Sequence, residues 1–263
     1  MIEIASITIA VISLLGALVS AGITGWLTIY SDERKLRFQS EKLMAKYRDP
    51  LLLAAQDLQS RLYNILELGF STYVDGPKEW KDLLFLHTSY LVGQYFSWTY
   101  ILRRQTQFLC FSMEKDNREL TETLETIQYV FSTIKYGVPG RPFMLWRGQQ
   151  QGIGEIMTIK DNGELLCMGY AAFVLKWTED ENFRRWFHDI ENSIGTLGKA
   201  MNQNDIVPDH RLRLLQHLLM DLIYQLDPKQ FRSRERRSKR CIPAVGCICS
   251  KCSGHDTPVT IGA

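Results

Sequence analysis

The residues best suited to chemistry lie near the C-terminus. Cys241, Cys247, Cys249, Cys252 and His255 follow a stretch from Arg232 to Arg240 in which six of nine residues are basic. Four thiols and an imidazole are enough soft donors for tetrahedral zinc. The spacing argues the other way: Cys247 and Cys249 are separated by one residue rather than the two of the common hook, and little apolar sequence surrounds them. The same composition suits S-acylation beside an anionic membrane, where each nearby Lys or Arg adds about 1 kcal/mol of attraction. By sequence alone an unmodified, disordered tail ranks first, acylation or lipid contact second, and zinc third. Cys110 and Cys167 stand alone in apolar surroundings. For a cytosol-facing domain, that distribution argues against a disulfide scaffold.

A second candidate is the stretch RGQQQGIGE, residues 147–155. On a helix Arg147, Gln151 and Glu155 align at four-residue intervals, and Gly148 and Gly152 form a neighbouring notch. Glycine costs about 1 kcal/mol in a helix interior relative to alanine. Three in seven positions therefore imply close approach by a backbone or a ligand, and ordinary helix packing is the first expectation. His210, His217 and Asp221 share a helix face opposite a leucine stripe, which predicts a solvated polar face. Gly195 and Gly198 before Lys199 are two residues apart rather than four, and Ala200 stands where a phosphate loop has Ser or Thr. No nucleophile elbow or His-Glu-x-x-His pair occurs. No cofactor is expected, and the chain reads as non-catalytic.

These candidates must be positioned by the elements around them, beginning with the N-terminus. Residues 4–31 contain no Asp, Glu, Lys, Arg or His. As a helix this run could reach roughly 40 Å, against a hydrocarbon core of about 30 Å. A cleaved signal peptide fits less well, because Glu3 makes the leading segment acidic and the apolar run is about twice the usual length. Arg34, Lys35, Arg37, Lys42, Lys46 and Arg48 follow the span, so the bulk of the chain is expected on the cytosolic side. Ser13, Ala17, Ala21 and Gly25 recur every four residues, a spacing that lets two membrane helices approach closely.

Beyond the span, Asp32 to Lys46 reads as a charged helix, and Asp49-Pro50 as an N-cap and first-turn proline that restart the chain. Residues 83–102 also lack Asp, Glu, Lys and Arg, but their aromatic rings, hydroxyls, His87 and Gln94 predict a core helix rather than a second span. Asn162-Gly163 is a hairpin signal that would join strands at 156–160 and 164–169. Thr178 to Glu181 reads as a capping box, and Asp209 as the cap of a helix with Leu212, Leu215, Leu219, Leu222 and Leu226 on one side. The predicted class is mainly α: an N-terminal transmembrane helix followed by a helical bundle with at most one small β-hairpin. The predicted organisation is an anchor at 1–31, a charged juxtamembrane helix at 32–48, a helical cytosolic domain at 49–228 and a basic, Cys-rich tail at 229–263.

The function that follows is a single-pass membrane protein presenting a helical cytosolic domain to another protein, as a scaffold or adaptor does. The alternative is a membrane-tethered enzyme or effector with its site around Arg147, Gln151 and Glu155. Membrane lipid, a second copy through the Ser13–Gly25 face and a further protein are the expected partners. A net charge of +2 gives no reason to expect nucleic acid.

Overall fold

Helix α1 (Ile2–Glu67) runs unbroken for 66 residues, about 100 Å at 1.5 Å per residue. The computed structural model describes residues 2–106, 115–135, 142–203, 209–230 and 239–253. Side chains are described from Leu15 onward, except at 33, 36, 37, 39–41, 43–45, 71, 106 and 115–117. Among these described residues, no helix is long and apolar enough to cross a membrane. The first eleven residues of the apolar run, and Ser13 with them, lie outside the described side chains.

The helix restart expected at Asp49-Pro50 does not occur. Pro50 sits inside α1, although it lacks the amide that would bond the carbonyl four residues back. Tertiary packing outweighs that loss. Tyr47, Leu51, Leu52, Ala55, Leu58, Leu62 and Ile65 are all buried, where α1 packs on α3 and α9. Arg48 also reaches across to the carbonyls of Leu226 and Gln225, so its cation caps the C-terminal end of α9.

After the one-turn α2 (Ser71–Val74), helix α3 (Lys78–Thr106) enters the core, as the reading of residues 83–102 predicts. Its buried Thr88 is satisfied internally, donating to Leu84 O at 2.7 Å and accepting from Arg61 at 2.9 Å. Helix α4 (Lys115–Ser132) and helix α5 (Arg147–Ile156) follow. Strands β1 (Thr158–Asp161) and β2 (Glu164–Cys167) pair antiparallel, with Asp161 opposite Glu164. Asn162 (φ 48) and Gly163 (φ 84) both take the positive φ that this two-residue turn requires. Helices α6 (Tyr170–Glu179), α7 (Glu181–Arg185) and α8 (His188–Asn202) lead to α9 (His210–Leu226).

One expected cap is reassigned and the other keeps its place without its side-chain bond. Asp180 rather than Thr178 caps α7, accepting from the amides of Asn182 and Phe183. Thr178 lies within α6 and bonds back to Val174 O. Asp209 stands at the N-cap of α9 without a side-chain cap bond. Its carboxylate pairs with Arg213 instead, at 2.8 Å.

Helix α9 is the axis of the bundle. It is buried along nearly its whole circumference, including Leu214, Leu218 and Met220 outside the predicted leucine stripe. Helices α1 and α4 cover much of it. Residues 239–253, which form neither helix nor strand, cover its polar side.

Candidate metal centre

The polar side of α9 holds Arg213, Gln216, His217 and Asp221, and each contacts the 239–253 segment. Arg213 donates to Ile242 O at 3.2 Å and pairs with Glu67 at the end of α1. Gln216 donates to Lys239 O at 2.7 Å and accepts from the Cys241 amide. Asp221 accepts from the Ser250 amide at 2.6 Å, the Ser250 hydroxyl at 2.9 Å and Arg240 at 2.7 Å. The solvated face expected for His217 and Asp221 is thus a buried one, with His217 only 2% exposed. The tail expected to be disordered is ordered over 239–253. The rest of the basic run, 232–238, and His255 lie outside the described residues.

His217 closes the arrangement. Its Nε2 lies 2.9 Å from Cys241 O. A carbonyl can only accept, so the ring proton resides on Nε2 and the Nδ1 lone pair points the other way. In that direction lie three sulfurs: Cys247, Cys249 and Cys252 each place Sγ 3.5 Å from Nδ1. The four donor atoms lie within 4.8 Å of one another, and all three cysteines are free thiols. Cys249 Sγ additionally accepts from Arg240 at 3.3 Å and from the Cys252 amide at 3.4 Å.

Burial favours the neutral form of Cys247, Cys252 and His217. It pushes the Cys247 thiol up to about 12 and raises that of Cys252. It also lowers the His217 imidazole below its ordinary 6.5, opposed by the bond to Cys241 O.

Of the four tail cysteines expected to act together, Cys241 is set apart. Its Sγ bonds Arg213 O at 3.9 Å, and burial pushes its thiol up to about 11. Its role toward the cluster is through its carbonyl, which orients the His217 ring. Arg240, read as part of a lipid-facing run, turns inward to Asp221 and Cys249.

The 239–253 segment has little else to hold it. Cys241, Ala244 and Cys249 are its buried apolar side chains, while Ile242, Val245 and Ile248 are exposed. Ordering a residue's backbone costs about 1–2 kcal/mol. The polar contacts with α9 and the donor cluster must therefore carry most of the attachment.

The second candidate resolves differently. Arg147, Gln151 and Glu155 do align on α5, but all three are exposed, and Arg147 stands 3.8 Å from Glu125. The glycines serve packing. A Cβ on Gly152 would meet the Trp186 ring at 2.3 Å, and one on Gly154 would meet Phe96 O at 2.7 Å, while Gly148 faces open space. Gln151 borders a hollow of about 510 Å³ between α3, α4 and α5. Gln128 and Gln150 line it too, and their buried Oε1 atoms have no hydrogen-bond partner among the described residues.

The sequence does carry a signal for the buried histidine. Leu214, Leu218 and Met220 give α9 apolar residues on both sides, which marks a helix covered all round. No protein-family model, no curated protein and no solved structure matches the chain.

Proposed function

We propose that this chain is a single-pass membrane-anchored protein that presents its helical bundle to the cytosol to bind another protein, without catalysing a reaction. The observation that carries this reading is the outer half of α1. Leu15, Leu18, Val19, Ile23, Trp26, Leu27, Ile29 and Tyr30 are 48–65% exposed, within a run that carries no charged side chain from Ile4 to Ser31. At 100° per residue these large side chains occupy one half of the helix surface. Ala17, Ser20, Ala21, Thr24, Gly25 and Thr28 occupy the other half. Thr24 and Thr28 each bond back to the carbonyl four residues earlier, at 2.8 Å, so their hydroxyls are satisfied without water. Large apolar groups on one side suit lipid tails. Small ones on the other suit close approach of a second helix.

The basic residues after the run put the bundle on the cytosolic side of such an anchor. There, tethering raises the effective concentration of a weakly binding surface. Exposure of Arg147, Gln151 and Glu155 favours the binding role over an enzymatic one. The hollow beside Gln128 and Gln150 supports, as a second reading, a small ligand that donates hydrogen bonds to their Oε1 atoms.

Alkaline carbonate extraction of the full chain tests the main reading. The expected result is a protein that stays in the membrane pellet, with a C-terminal tag open to protease in sealed vesicles, and that becomes soluble when residues 1–31 are deleted. Release of the intact chain by carbonate, or a tag protected until detergent is added, would overturn it. Ala21→Leu is expected to weaken crosslinking between copies.

A further inference from the structure

We propose that His217 Nδ1 and the sulfurs of Cys247, Cys249 and Cys252 bind one zinc ion, which fastens the 239–253 segment onto α9. This goes beyond the membrane reading and does not depend on it. Zinc–sulfur bonds of about 2.3 Å and zinc–nitrogen bonds of about 2.0–2.1 Å set a tetrahedral S–N edge of roughly 3.6 Å. The three S–N distances are each 3.5 Å. Hydrogen bonding does not account for this convergence. With the ring proton on Nε2, Nδ1 has one lone pair and can accept one thiol proton, not three. A cation at the centre satisfies all four donors at once.

The surroundings match what such a site requires. The bond from Nε2 to Cys241 O is the outer-shell contact that fixes the tautomer and orientation of a metal-bound imidazole. On binding, each thiol releases its proton to solvent, leaving a zinc trithiolate of net charge −1. Arg240 at 3.3 Å from Cys249 Sγ opposes that charge and is itself held by Asp221. Thiolates and imidazole select zinc over magnesium or calcium. All four tetrahedral positions are filled by protein, which marks a structural rather than a catalytic zinc. Three thiols and one imidazole cannot all be satisfied by disulfides, since one cysteine is always left over.

The full chain, purified in detergent under reducing conditions, provides the test by elemental analysis and by exchange with cobalt(II). The expected result is one zinc per chain and, with cobalt, thiolate charge-transfer and tetrahedral visible bands. His217→Ala and Cys249→Ser should abolish these bands, while Cys241→Ser and His255→Ala should leave them unchanged. Cys252→His, which keeps four donors, should retain the metal with about a third of the charge-transfer intensity lost. This variant separates ligand loss from misfolding. No bound metal after zinc loading, bands that depend on Cys241 or His255 but not His217, or a hydroxylamine-labile acyl mass on these cysteines would each overturn the proposal. Membrane fractionation is read separately, so either proposal can fail alone.

Discussion

Arg147, Gln151 and Glu155 on α5 and Arg213, His217 and Asp221 on α9 are spaced alike, four residues apart along one helical face. The first set lies in solvent. The second is held under a separate stretch of chain, with ion pairs from Arg213 to Glu67 and from Asp221 to Arg240. Periodicity places side chains on a common face but does not say what lies against it. The chemistry of a polar stripe depends on its cover: water screens the α5 set, whereas burial lowers the His217 imidazole on α9 and raises the Cys247 and Cys252 thiols of the segment over it.

Stripping the metal should break the contrast most strongly. If a cation joins the two segments, a chelator is expected to speed tryptic cleavage after Arg240 by about tenfold or more while leaving the helical signal of the bundle intact. Unchanged cleavage would mean that the polar contacts alone hold the cover in place. Next in size, Asp221→Ala removes the partner of a largely buried arginine together with two bonds from Ser250. Chemical denaturation should register a loss of about 3 kcal/mol.

On α5 the sensitive side is the packed one. Gly154→Ala drives a Cβ against the Phe96 carbonyl of α3, where backbone cannot yield cheaply. A loss of about 2 kcal/mol is expected by the same measurement. Smallest of all, Arg147→Ala should shift stability by no more than about 0.5 kcal/mol, because its ion pair with Glu125 is exposed and weak. A larger effect there would make the α5 face more than a solvated surface.

Much of the bundle was legible in the residues. The Asn162-Gly163 turn, the aromatic core helix α3 and the leucine stripe of α9 all follow from local pattern and turn chemistry. Three features were not legible, each for a non-local reason. Pro50 continues a helix because Tyr47, Leu51 and Leu52 find a buried surface on distant elements. His217 enters the cysteine cluster across 30 to 35 residues of sequence, beyond any spacing motif. Cys241, grouped with the other thiols by proximity in sequence, contributes a carbonyl instead of a sulfur. The Cys-x-Cys spacing and the sparse apolar sequence around it argue against a self-contained zinc knuckle, whereas here the imidazole comes from a helix of the bundle.

The absence of any break in α1 at Pro50 bears on how movement passes along the molecule. A continuous helical shaft has a fixed rotational phase, so turning its outer half about its axis turns the bundle with it. Every residue added between Asp32 and Lys46 should swing the bundle by about 100° and move it outward by about 1.5 Å. A graded series of such insertions would act as a dial, presenting successive sides of the bundle toward whatever covers the shaft's apolar half.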